Sequence, residues 1–201
     1  MRSFLLSSAM VSLAVLSALA GCNNQNPPRP YVDVNWKLRC PPSPMPMDCM
    51  AGCTEGVDRS INGYSSDSGV RLSCSVTETA TDRFINFTIQ NATGQSLAFE
   101  NVQVPRGGGS ALSGNVRLND TNEFVGAAGG NAPSNGQPCQ ISAVTFDRDP
   151  ETGDSHMSGQ VLCQTMRAPA ANQLCRGLSA AGASATLPAQ FSIFACRGLN
   201  P

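Results

Sequence analysis

Nine cysteines are spread through 201 residues, and their placement limits the fold more than any other feature. Eight fall into two groups of four: Cys40, Cys49, Cys53 and Cys74, then Cys139, Cys163, Cys175 and Cys196, with none between Ser75 and Pro138. The ninth, Cys22, stands apart at the end of an apolar stretch. An even set of thiols in an exported chain reads as a disulfide framework. The competing reading is a metal site built on Cys49-x3-Cys53. Structural zinc takes four thiolate or imidazole ligands, and the chain has a single histidine, His156, to contribute. Which reading applies depends on where the N-terminus sends the chain.

Residues 1–21 carry one positive charge, Arg2, and an apolar run from Phe4 to Ala20 relieved only by serines and alanines. That is the layout of an export signal. As a membrane span the run is at the lower edge of the roughly 17–25 residues required. It closes on Leu19-Ala20-Gly21-Cys22. These four residues resemble the lipobox of bacterial lipoproteins, an aliphatic residue and two small ones before an obligatory cysteine. The resemblance covers residues 1–22 alone, and each of its four positions is matched. It implies cleavage of residues 1–21, a thioether-linked diacylglycerol on Cys22 and an amide-linked acyl chain on the new amino group. Each buried methylene adds about 0.8 kcal/mol, and more than one chain is needed for stable anchoring. Asn23 follows where lipoproteins of the inner membrane typically carry Asp, so the resemblance points to the outer membrane of a Gram-negative envelope. Residues 22–30 read as a polar, proline-containing tether, reaching about 30 Å at most. An oxidising destination favours disulfides over zinc.

Cleavage would leave 180 of the 201 residues, with 12 of the 13 Lys and Arg against 14 Asp and Glu. That is enough chain for one domain with a proper core over residues 31–201. No basic patch suggests nucleic acid as a partner. Few charges and abundant Gly, Ser, Thr and Asn favour strands and turns. The clearest strand holds Val32, Val34, Trp36, Leu38 and Cys40 in one phase and Tyr31, Asp33, Asn35, Lys37 and Arg39 in the other. Trp36 then belongs to the core, the alternative being an aromatic platform for a ligand. Strands follow at Val70–Val76, Ile85–Ile89, Leu97–Val104 and around Val116–Leu118. Two glycine-rich stretches, 106–110 and 126–137, read as flexible surface connections, because no helix or Lys-Ser/Thr pair follows Gly107-Gly108-Gly109 as a phosphate cradle requires. Further strands are expected at 137–146, 156–164 and 189–196, with a short helix over Pro169–Gly177. The expected fold is all-β: a disulfide-crosslinked antiparallel β-sandwich of jelly-roll or immunoglobulin-like kind with that one helix.

Strand phase also predicts a crosslink. Met157, Gly159, Val161 and Cys163 hold one face without interruption, whereas Cys139 and Ile141 start in one phase and Val144 and Phe146 continue in the other. A β-bulge near Ser142-Ala143 explains the change. With Asp149 opposite Asp154 across the turn, Phe146 faces Met157, Val144 faces Gly159, and Cys139 lands opposite Cys163. By elimination Cys175 would pair with Cys196, and the four N-terminal cysteines among themselves.

Catalytic signatures are sparse. No Gly-x-Ser-x-Gly elbow occurs, His156 sits beside a hairpin turn where exposure is the default, and the five glutamates are scattered. Asp147, Asp149, Glu151 and Asp154 crowd that turn and resemble the start of a calcium loop, but Pro150 intrudes and no glutamate follows at the right distance. The expectation is a protein without cofactor or resident metal: a non-catalytic, lipid-anchored envelope module, held to the membrane through Cys22, whose β-domain acts in binding an envelope protein or glycan or as a structural part of a surface assembly. The alternative is an envelope hydrolase, for instance a sugar-active one.

Overall fold

The computed structural model describes residues 29–41, 49, 53–65, 69–120, 122–129, 138–169, 174–182 and 187–199. Residues 1–21, Cys22 and most of the tether lie outside them. Eleven strands make one mixed sheet: β1 (Tyr31–Arg39), β2 (Asp58–Tyr64), β3 (Arg71–Glu78), β4 (Asp82–Gln90), β5 (Ser96–Pro105), β6 (Ser113–Asn119), β7 (Glu123–Gly129), β8 (Cys139–Arg148), β9 (Ser155–Arg167), β10 (Cys175–Ser179) and β11 (Ala189–Phe194). The class is all-β. Most neighbours are antiparallel, as expected, but β7 runs parallel to β8.

Period-two alternation explains most of these strands. On β1 the side chains of Val32, Val34, Trp36 and Leu38 are buried, and Trp36 is core. β3 through β6 form a meander whose inner residues include Ile85, Phe87, Leu97, Phe99 and Val116. The sheet turns back on itself so that its two halves share one core. Phe191 of β11 meets Phe87 of β4 at 5.9 Å and Phe99 of β5 at 5.2 Å, the second pair edge to face. Fully burying such a side chain contributes about 1.5–3 kcal/mol.

The seam of the sheet is unusual in connectivity. The same edge of β1 pairs with β11 over Tyr31–Val34 and with β10 over Lys37–Arg39. The facing edge of β9 does likewise. β10 and β11 therefore lie end to end as one composite strand between β1 and β9, and between them Ala180 N–H donates to Leu187 O at 2.9 Å. This corrects the expected helix over Pro169–Gly177. Residues 170–173 lie outside the described set, no described residue is helical, and Cys175–Gly177 are in β10. The open backbone groups of β1 and β9 need a strand as partner, and Gly177 lets β10 approach closely, since a Cβ there would lie 2.9 Å from the Cys163 carbonyl.

The bulge on β8 is present. Ser142 faces Gln160 and Thr145 faces Ser158, so Ala143 and Val144 together oppose Gly159, and Ala143 has a φ of 50°. Ile141 faces Val161, Cys139 faces Cys163, and that pair is disulfide-bonded. The extra backbone groups are not wasted: Val144 and Gly109 exchange two hydrogen bonds of 2.8 Å. The stretch 106–110 is thus docked on the bulge rather than a loose connection. Gly108 is required there, with a φ of 89° and no room for a Cβ against the Val144 carbonyl. Likewise the first part of the expected 126–137 loop is strand β7. A Cβ on Gly126 would lie 2.6 Å from Cys139 Sγ, so this glycine makes room for the disulfide.

The remaining disulfides correct the pairing by elimination. Cys40 joins Cys53, but Cys49 joins Cys175 and Cys74 joins Cys196. The reason is topological. After β11 the chain crosses to the edge of β3, where Val76 N–H donates to Arg197 O at 2.9 Å, and this sets Cys196 beside Cys74.

Candidate functional site

Where the inner face of β2, β1, β11, β9 and β8 packs on the core, the outer face carries three rows of side chains set by register. Directly opposed residues on neighbouring strands are close enough for their side chains to interact. The first row runs Tyr64, Tyr31, Phe194, His156, Asp147. The second runs Asn62, Asp33, Ser192, Ser158, Thr145. The third includes Ser60 opposite Asn35 on one side and Gln190, Gln160 and Ser142 on the other.

The first row is an aromatic ladder. Tyr31 and Tyr64 meet edge to face at 5.0 Å, Tyr31 and Phe194 at 5.6 Å, and His156 stacks on Phe194 at 4.3 Å with 19° between planes. Tyr64, the outermost ring, is 47% exposed, and the Arg29 guanidinium lies 5.1 Å from its centroid. Both tyrosines of the chain belong to this row. Beside it, a groove of about 310 Å³ is lined by polar residues that include Asp33, Asn35, Ser158, Gln160, Gln190 and Ser192. A second hollow, which shares Asn35, Gln160 and Gln190 with the groove, is lined on its other side by Ala180, Ala181, Leu187 and Pro188. Concave surfaces with convergent polar groups beside aromatic rings are where small polar ligands bind.

His156 is neither idle nor fully exposed. Its Nδ1 is 2.7 Å from Asp147 Oδ1 and its Nε2 is 2.7 Å from Ser192 Oγ. A carboxylate only accepts, so Nδ1 carries the proton and donates to Asp147. In the neutral imidazole Nε2 is then the acceptor, and the Ser192 hydroxyl donates to it. The tautomer follows from the partners.

Asp147 is taken up with His156. Asp149 Oδ1 accepts the amides of Glu151 at 2.9 Å and Thr152 at 2.7 Å, together with the Thr152 hydroxyl. The Thr152 amide above all holds the Asp149 carboxyl below its ordinary value. Among the described residues no three of His, Cys, Asp and Glu form a cluster fit for a metal ion. Of Asp147, Asp149, Glu151 and Asp154, Asp149 closes the turn with its own carboxylate. Cys22 lies outside the described residues.

Sequence reading missed the ladder and Ser192. Opposition of Asp147 and His156 is implicit in the hairpin register with Asp149 facing Asp154, whereas Ser192 needs the knowledge that β11 sits beside β9. No family model, no curated protein and no solved structure matches the chain.

Proposed function

We propose that this protein is a lipid-anchored module of the bacterial cell envelope whose β-sandwich binds a glycan on its outer face. One observation carries the reading: an aromatic row and two amide- and hydroxyl-bearing rows lie side by side across five adjacent strands. Sugar rings offer apolar C–H faces that stack on aromatic rings, and hydroxyls that both donate and accept. Asn, Gln, Ser and Thr meet those hydroxyls in either sense. Strands about 4.8 Å apart give the face a width of about 19 Å, long enough for several sugar units. Asp33, Asp147, Asp149 and Asp154 make its surroundings acidic, which disfavours anionic polymers. The lipobox-like Leu19-Ala20-Gly21-Cys22 and the short tether that follows support a position close to the membrane.

The test has two readouts in one preparation. Cys22→Ser should move the protein from the detergent-extracted fraction to the soluble one. The soluble protein should then be retained on insoluble envelope polysaccharide, and adding Tyr64→Ala should weaken retention about tenfold, the loss expected for one stacked ring of about 1.4 kcal/mol. Membrane retention of the Cys22→Ser protein would refute the anchor. Equal glycan retention with and without Tyr64 would refute the face.

A further inference from the structure

We propose that Ser192, His156 and Asp147 are the nucleophile, the general base and the orienting carboxylate of an ester hydrolase, and that the groove beside Ser192 takes short-chain acyl esters of sugar hydroxyls. The reaction goes beyond binding. Only the identity of the alcohol portion rests on the glycan reading.

The geometry meets the requirements of the chemistry in order. A serine nucleophile needs a base within hydrogen-bond reach, and the base needs a partner that fixes its tautomer. Both contacts are 2.7 Å. Stacking on Phe194 at 4.3 Å holds the imidazole plane, so the ring does not need to be ordered when substrate arrives. The three residues come from β8, β9 and β11, three neighbouring strands of a disulfide-tied sheet, which is a rigid mounting. A hydroxyl that served only to brace His156 would have no reason to open on a cavity. Ser192 lines the groove.

An oxyanion needs donors. Ser192 lies inside β11 between β1 and β9, so main-chain amides there serve the sheet ladder. Side-chain amides fill the same role in other hydrolases. Gln160 and Gln190 face the groove beside Ser192 and make no side-chain hydrogen bond with another described residue. They are the donors available. Asp33 stands opposite Ser192 on β1, and its negative charge opposes an oxyanion. Asp147 is also open to water, its side chain 56% exposed. Both features make this a slow enzyme, and the first makes it diagnosable.

The substrate class follows from the lining. Amides and hydroxyls suit a polyhydroxy alcohol, and among the described residues the lining beside Ser192 is mostly polar and the groove small, about 310 Å³, which fits a short acyl group such as acetyl. In the first step Ser192 Oγ bonds to the ester carbonyl carbon while its proton passes to His156 Nε2. The ester C–O bond breaks, and the leaving sugar oxygen takes that proton from Nε2. Water then attacks the acyl-serine, giving one proton to Nε2, and Ser192 Oγ takes it back as the acid departs. Asp147 stays a carboxylate and stabilises the transient imidazolium through Nδ1–H. Atoms and charge balance without a further reactant.

The experiment uses the full lipidated chain in detergent, with its disulfides confirmed by peptide mapping. It is treated with a fluorophosphonate probe and, separately, with 4-nitrophenyl acetate and glucose pentaacetate. The expected results are a probe adduct on Ser192, release of acetate from both esters, and loss of at least about 100-fold in rate in Ser192→Ala. Asp33→Asn should raise the rate at least about threefold by removing the charge that faces the oxyanion, a gain that a bracing hydrogen-bond chain would not produce. Circular dichroism and thermal unfolding monitor the fold of each variant. Should Ser192→Ala not fold, the position of the adduct in the native protein decides. Absence of both adduct and acetate release overturns the proposal. So does an adduct on another serine, undiminished activity in folded Ser192→Ala, or an Asp33→Asn rate that does not rise. Retention on polysaccharide by folded Ser192→Ala separates loss of chemistry from loss of glycan binding.

Discussion

Replacing Cys74 and Cys196 together by alanine removes the bond that ties the edge of β3 to the segment after β11. The two cysteines are 122 residues apart in sequence. For a lone crosslink over such a loop, closure entropy is worth about 4.9 kcal/mol at 25 °C. Here the crosslink is not alone. Cys49–Cys175 already joins the two ends of the chain, so in the unfolded protein the shorter circuit runs from Cys74 back to Cys49 and on from Cys175 to Cys196. That circuit holds about 46 residues, and its closure is worth about 4.0 kcal/mol. The double variant should therefore lose about 4 kcal/mol in equilibrium urea unfolding, against about 3.4 kcal/mol for removing the 24-residue Cys139–Cys163 bond. Removing both long bonds should cost more than twice the single loss, because the second removal opens the longer circuit. Marginal stabilities of about 5–15 kcal/mol mean that such a variant sits at or past the edge of folding. The reasoning fails if the Cys74/Cys196 variant loses less than about 1 kcal/mol. It fails equally if non-reducing peptide maps of the native protein link Cys74 to Cys40, Cys49 or Cys53.

Gly159→Ala should destabilise by about 1–3 kcal/mol in the same assay, because the new Cβ would sit 2.6 Å from Phe191 Cζ and 3.2 Å from Val144 Cγ2. Phe191 is itself packed against Phe87 and Phe99, which opposes its moving aside. The Asp149 turn should respond to acid. A carboxyl held below its ordinary value stabilises in full above that value, and the contribution goes as pH falls through the lower, folded one. Carboxyl-carbon NMR titration should find Asp149 titrating below an ordinary aspartate, and Thr152→Ala, which removes the hydroxyl but keeps the amide, should raise it only part of the way.

What could be read from the residues was whatever depends on phase within one strand or one hairpin. β1 shows its two faces in its own alternation, and the β8–β9 hairpin reveals its bulge because one strand changes phase and the other does not. Strands that bury little escaped. In β2 only Ile61 is buried, and in β7 the one large apolar residue with a clear phase is Phe124, the rest being Val, Gly and Ala, with Gly126 clearing space for Cys139 and Met166. β10 is short and broken by a bulge at Gly177, so no period marks it. Pairing by elimination failed at Cys175 and Cys196 for a related reason: nearness in sequence says nothing about which sheet edge the chain crosses to. The outer face was legible in its parts, since Tyr31, Asp33 and Asn35 point away from Val32 and Val34. Its assembly was not, because it depends on β11 lying between β1 and β9.

The composite strand also sets an order of events. On the proposed export route the chain would emerge N-terminus first, so β1 would leave the translocation channel before the other described strands. Its partners on one edge, β10 and β11, are the last to appear. Only β2 can join it early. Until β10 and β11 are through, that edge of β1 would stay open, and Cys40, Cys49, Cys53 and Cys74 would be exposed to oxidation without Cys175 or Cys196. An oxidase that joins thiols as they arrive would pair all four among themselves, whereas the native protein keeps only Cys40–Cys53 of such bonds. If the proposed export holds, maturation of this fold would call for disulfide shuffling, and the yield of native protein from a secreting cell should depend on its isomerase more than on its oxidant.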